Sequence, residues 1–233
     1  MNEQSSFSFR RSDASGAVLA VIAIGAIARF VLAATVGLGV DESYAVAVSR
    51  VFSLSYFDHP PFLFWLSGAA AKLAGSEMSE VVRFPFVLCF AGTTWFMYRI
   101  GRRLFGERAG LVGIVLLNVS AVFSLSAGGW VLPDGPLMLF MAAATDRISM
   151  ITFGDRNAGE PKSDTGDGEP AQGSAFGSWC LAGLLTGGAM LSKYHGVFVL
   201  AGTAGFLLTS PRHRKWLATP GPYVGALLAL TCF

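Results

Sequence analysis

Acidic and basic side chains gather at three points of this chain where apolar runs give way to polar residues. Asp41-Glu42 closes a long apolar run, Asp58-His59-Pro60-Pro61 opens a shorter one, and Asp134 stands in Leu132-Pro133-Asp134-Gly135-Pro136 just before another. A carboxylate at such a place can take a proton from a nucleophile. A cation such as Lys193, or His59 when protonated, can meet an anionic leaving group. Each residue also has a plain structural use. An acid at a helix N-terminus caps it and complements the helix dipole, which is worth about 0.3–1 kcal/mol. His59, between Asp and Pro-Pro, serves equally as a turn residue, and Lys193 can snorkel to the end of its apolar run. Arg29 lies inside an apolar run, where a cation is costly unless a neighbouring helix supplies a partner.

The elements that must hold these residues are membrane helices. Of the 233 residues 53% are hydrophobic and only 14% charged, and the mean hydropathy is +0.55. That is too apolar for an ordinary soluble domain. A helix needs about 20 apolar residues to cross the hydrocarbon core. Spans are expected at 16–40, 81–100, 109–130, 136–153, 175–191 and 194–209, and a seventh starts near Tyr223. The run 16–40 is too long for the apolar part of a signal peptide and reads as an uncleaved anchor.

The apolar piece 61–75 is short, and the charges decide its place. Arg10 and Arg11 set the N-terminus in the cytoplasm, and the cluster Arg99, Arg102, Arg103 and Arg108 belongs on the same side. If 61–75 crossed, that cluster would fall outside, so this piece is expected to lie along the outer leaflet, with Trp65 and Lys72 at the interface. Most of the 17 basic residues then fall in cytoplasmic segments. Asp41, Glu42, Asp58, Glu77, Glu80 and Asp134 all fall outside. Asp146-Arg147 interrupts the fourth span, which suggests snorkelling near its inner end.

The polar stretch 154–174 has no apolar period and reads as a disordered cytoplasmic loop. Cys89, Cys180 and Cys232 sit in apolar runs without metal-ligand spacing, and no metal or other cofactor is expected. Paired acids still leave room for a divalent cation. The net charge of +2 is what cytoplasmic basic loops produce and gives no reason to expect a nucleic-acid partner.

The string GVDESYAVAVSRVFSLSYFDHPPFLFWLSGAAAKLAG, followed by Glu80-Val81-Val82-Arg83-Phe84-Pro85 and Arg99-Ile100-Gly101-Arg102-Arg103-Leu104-Phe105-Gly106, resembles the dolichyl-phosphate-mannose protein mannosyltransferase superfamily. The nearest likeness is to its bacterial branch, with the aminoarabinose and galacturonic acid transferases of lipid A. LPDGPLMLF, LSKYHGVF and PRHRKWLATPGPYVGALLAL resemble later landmarks of that branch. The resemblance implies an all-α integral membrane protein of the GT-C type, a multi-span bundle with juxtamembrane helices in its first outer loop. Residues 1–233 would then be one transmembrane domain, the N-terminal, truncated part of that fold, and 41–83 its extracytoplasmic catalytic loop.

The resemblance further implies an inverting glycosyltransferase of the inner membrane. It would move a sugar from a polyprenyl-phosphate donor to an extracytoplasmic glycolipid, glycan or protein. Asp41, Glu42 and Asp134 are the expected catalytic residues, with Asp41 as the base on the acceptor. His59, Lys193, Asp58 and Tyr44 are expected around the donor phosphate. His59 stands where some relatives carry lysine, so it serves the phosphate only as the imidazolium, which Asp58 next door favours. The rival reading is a non-enzymatic membrane protein, a lipid-linked sugar carrier or an inactive remnant. A transporter would place polar groups near the bilayer midplane, whereas these acids sit at its outer boundary.

Overall fold

The computed structural model describes residues 11–154 and 172–233, and all regular structure in them is helical. Three helices are long and apolar enough to cross a membrane: α1 (Arg11–Thr35), α4 (Ser79–Phe105) and α7 (Gln172–Ser192). Between them lie α2 (Val40–Ser49), α3 (Phe62–Ala74), α5 (Glu107–Val119) and α6 (Asp134–Phe153); α8 (Val197–Thr209) and α9 (Gly221–Cys232) follow α7. The chain is an all-α membrane protein.

Contacts run in a chain through the bundle, from α1 to α4, from α4 to α5 and α6, from α6 to α7, and from α7 to α9. Gly106, with φ at 96°, lets the chain reverse between α4 and α5. Close approach of α7 to α9 depends on two glycines, since a Cβ on Gly183 would collide with the backbone of Gly225.

The structure departs from the expected spans at several points. First, α1 stops at Thr35 and Val40 already belongs to α2. The carbonyls released there, at Ala33, Val36 and Gly37, are all taken by the guanidinium of Arg83. Second, the run 109–130 is not one helix. It breaks at Ser120 into α5 and a π-helical turn, Phe123–Ala127, and Ser124 Oγ takes the loose carbonyl of Asn118 at 2.6 Å.

Third, Asp146 does not snorkel but is fully buried, with Arg103 at 2.8 Å and Arg99 at 3.2 Å. Fourth, Gln172 to Ser174 open α7, and the rest of the stretch expected as a disordered loop lies, apart from Gly154, outside the described residues. Arg29 finds its neighbour as well. It donates to Ser124 Oγ at 2.9 Å and lies 4.2 Å over the Phe90 ring.

Helix α3 has 13 residues, about 20 Å of length and too short to cross. Its first residue, Phe62, packs edge-on against Phe140 of α6, with ring centroids 5.0 Å apart. Phe140 lies six residues into α6, about 9 Å from its start. The far half of α3, Leu66 to Ala74, shares an apolar groove of about 630 Å³ with Phe30, Val81, Phe84 and Leu88. Phe30 and Phe84 meet edge to face, each five residues from the end of its helix, about 7.5 Å deep. The two ends of α3 therefore lie at similar depth, and the helix runs across the bundle end instead of through it.

Candidate active site

Buried beneath α2 is a hub in which every polar atom has a partner. Arg83, on the first turns of α4, donates through Nε and Nη2 to the two oxygens of Glu42 at 2.7 and 2.6 Å. Its remaining donors go to the carbonyls of Ala33, Val36 and Gly37. Glu42 also accepts the backbone N–H of Gly39 and of Val131, both at 2.9 Å. Five guanidinium N–H groups and four carboxylate lone-pair sites are thus used up. Burial alone would raise the Glu42 carboxyl. The Arg83 side chain and the two amides outweigh it and hold the group below its ordinary range.

Asp41 is the neighbour of Glu42, yet it is exposed. Successive helical residues point about 100° apart, so Glu42 turns inward with Ala45, Val46 and Ser49 while Asp41 faces out on the stripe of Tyr44. The Tyr44 hydroxyl meets Asp58 on the loop before α3, and this hydrogen bond raises the Tyr44 pKa. Burial would raise the Asp58 carboxyl, but His59 and Tyr44 together bring it below its usual value. His59 Nδ1 lies 3.1 Å from Asp58 Oδ2, with both side chains partly open to the outside.

A second open pair joins elements far apart in sequence. Asp134, the first residue of α6, accepts from Lys193 Nζ at 2.8 Å, and each side chain is about one third exposed. Pro133 precedes it without a side-chain cap, and Pro136 fits the first turn, where no intrahelical N–H is required. Lys193 follows the last residue of α7, so the α6 start and the α7 end meet here. The loop that donates Val131 N–H to Glu42 leads directly into Asp134, so the hub also sets where α6 begins.

The seven expected site residues therefore fall into three sets. Asp41, Tyr44, Asp58 and His59 share one open rim. Asp134 and Lys193 form a pair at the start of α6. Glu42 is closed off, with no lone pair left for a substrate proton. Sequence reasoning gives Arg83 no role, although an arginine inside a span needs a partner and that is the signal that finds it. Among the described residues no cluster of three metal-ligating side chains occurs.

A model of the dolichyl-phosphate-mannose-protein mannosyltransferase family matches residues 58–153 and 171–233. Asp58, His59, Arg83, Asp134 and Lys193 lie within the matched residues, and Asp41, Glu42 and Tyr44 precede them. No curated protein and no solved structure matches the chain.

Proposed function

Because the chain belongs to the dolichyl-phosphate-mannose-protein mannosyltransferase family, we propose that it transfers a sugar from a polyprenyl-phosphate donor to an extracytoplasmic acceptor, a glycolipid, glycan or protein, at the outer face of the inner membrane. Family membership supports a glycosyltransferase of the membrane. The observation that carries the finer reading is the division of the acids. Asp41, Asp58 and Asp134 are partly or wholly open, while Glu42 is saturated by Arg83 and two amides.

Asp41 takes the proton of the acceptor hydroxyl as its oxygen attacks the anomeric carbon. The bond from that carbon to the phosphate oxygen breaks on the opposite face, which inverts the centre and leaves a polyprenyl phosphate. The growing negative charge on the phosphate meets Lys193 and the His59 ring. Asp58, itself held by the Tyr44 hydroxyl, orients the His59 ring, and Asp134 holds Lys193 until the phosphate shares it. Glu42 is a positioning residue that fixes the start of α2, and with it Asp41.

The test is donor use by the purified protein in lipid vesicles, with an envelope fraction as acceptor source. A polyprenyl-phosphate sugar should be consumed and polyprenyl phosphate released, with the product anomer inverted. Consumption of a nucleotide sugar in its place, or retention of the anomer, would overturn the reading.

A further inference from the structure

Four apolar side chains stand out from the loop between α2 and α3. Val51, Phe52, Leu54 and Phe57 are between 64% and 106% exposed, although the loop itself is well tied down. The Tyr56 hydroxyl donates to the Val51 carbonyl at 3.0 Å and accepts the Ser53 N–H at 3.1 Å. The Tyr56 ring packs on Phe64 at 4.3 Å between centroids. Trp65 of α3 stacks on Phe52 and donates its indole N–H to the Ser53 carbonyl at 2.8 Å. The outward projection of these side chains is therefore built in, and a monomer in water would leave all four uncovered.

The depth of the loop says what covers it. It is fastened to α3 through Trp65 and Phe64, and α3 packs at the level of Phe140, Phe84 and Phe30, about 7–9 Å inside the ends of α6, α4 and α1. Counted from the helix ends, that matches the roughly 5–10 Å to which interfacial segments bury. Trp65 and the exposed Lys72 at the end of α3 are the residue types that favour such an interface. Leu73, 90% exposed on the same helix, faces outward as well.

We propose that the loop 51–57 is an interfacial anchor, with Val51, Phe52, Leu54 and Phe57 inserted among the lipids of the same leaflet that α3 lies along. The partner is the bilayer surface itself. Asp58 and His59 follow the anchor directly, so it holds them at the boundary of water and lipid, whatever reaction occurs there.

The test is independent of sugar transfer. Nitroxide labels are placed at Leu54→Cys and Phe57→Cys, with Cys89, Cys180 and Cys232 changed to serine, in vesicles of phosphatidylethanolamine and phosphatidylglycerol. Collision rates with dissolved oxygen and with a water-soluble nickel chelate then report depth. A label at Ile24→Cys, on the exposed face of α1, gives the hydrocarbon reference. The expected result is an oxygen-to-nickel collision ratio several-fold above that of free label in water, approaching the Ile24 value, at both loop positions. A ratio like that of free label would overturn the proposal, because the loop would then stand in water. Low collision with both reagents would also overturn it, since a protein partner or second copy would then be the cover. If Phe57→Cys does not fold, Leu54→Cys decides alone.

Discussion

At one end of the bundle Asp146 is shut in between Arg103 and Arg99, fully buried. At the other end Glu42 is shut in by Arg83, but Asp41, Asp58 and Asp134 stand open around it. Arg83 and Arg103 lie on the same helix 20 residues apart, about 30 Å. One continuous helix thus carries a buried ion pair near each end, and around the Glu42 pair three further acids stand partly or wholly open. The difference teaches how to separate bracing from chemistry in a membrane protein. A carboxylate whose lone pairs are all taken by fixed donors cannot accept a substrate proton, however suggestive its position.

The comparison is broken most severely at Arg83. Arg83→Met should lose about 3–5 kcal/mol, because it leaves Glu42 buried without its cation. Thermal unfolding in detergent should show a large drop in midpoint. Arg83→Lys should restore only part of it, since one ammonium cannot supply five directed donors. A wild-type midpoint for the lysine variant would mean that charge alone holds the hub. Asp146→Asn at the far end should cost about 3 kcal/mol, the low end of the same range, because Arg103 stays buried without its anion while Asn keeps the shape of the site. Arg103 keeps the Asp146 carbonyl and Ser149 Oγ. Transfer per folded molecule should be unchanged, and a selective loss of activity would show that the closed end takes part in chemistry.

Smaller effects sharpen the contrast at the open end. Lys193→Met should raise the donor KM about tenfold, or about 1.4 kcal/mol, if the amine meets the phosphate. Stability should hardly move, because the Asp134–Lys193 pair is one third exposed and screened. An unchanged KM would leave the pair as a simple helix-end contact. The last effect is confined to acid. The Glu42 carboxyl is depressed in the folded state, so its contribution is complete above the unfolded value, near pH 4.3. It is lost as pH falls through the folded value. Titration by circular dichroism should show a larger acid loss in the wild type than in Glu42→Gln, where the depressed Asp58 and Glu77 carboxyls still contribute.

Much of the fold was legible because apolar runs of span length announce themselves. The cores of α1, α4 and α7 lie where hydropathy puts them. The break at Ser120 was not legible, since 109–130 is apolar throughout and only the Ser124 contact to Asn118 marks the end of α5. Val40 read as the last residue of a span because it is apolar, yet α2 begins there once Arg83 has taken the α1 carbonyls. The open residues were named from their types and from the resemblance. Their grouping was hidden, because Asp134 and Lys193 meet across 59 residues and Glu42 and Arg83 across 41. The opposite surroundings of Asp41 and Glu42 follow from helix phase, which needs a neighbour for reference before it separates two adjacent acids.

The central claim is that Asp41 performs chemistry while its neighbour only holds the frame. Asn keeps the shape of Asp and serves as well at a helix start, but it cannot accept the acceptor's proton. The decisive measurement is sugar transfer by Asp41→Asn per folded molecule, with the thermal midpoint measured on the same preparation. The expected result is a rate lower by about 10²–10⁴-fold, the usual share of positioned proton transfer, with an unchanged midpoint. A near wild-type rate from the folded Asn variant would contradict the account.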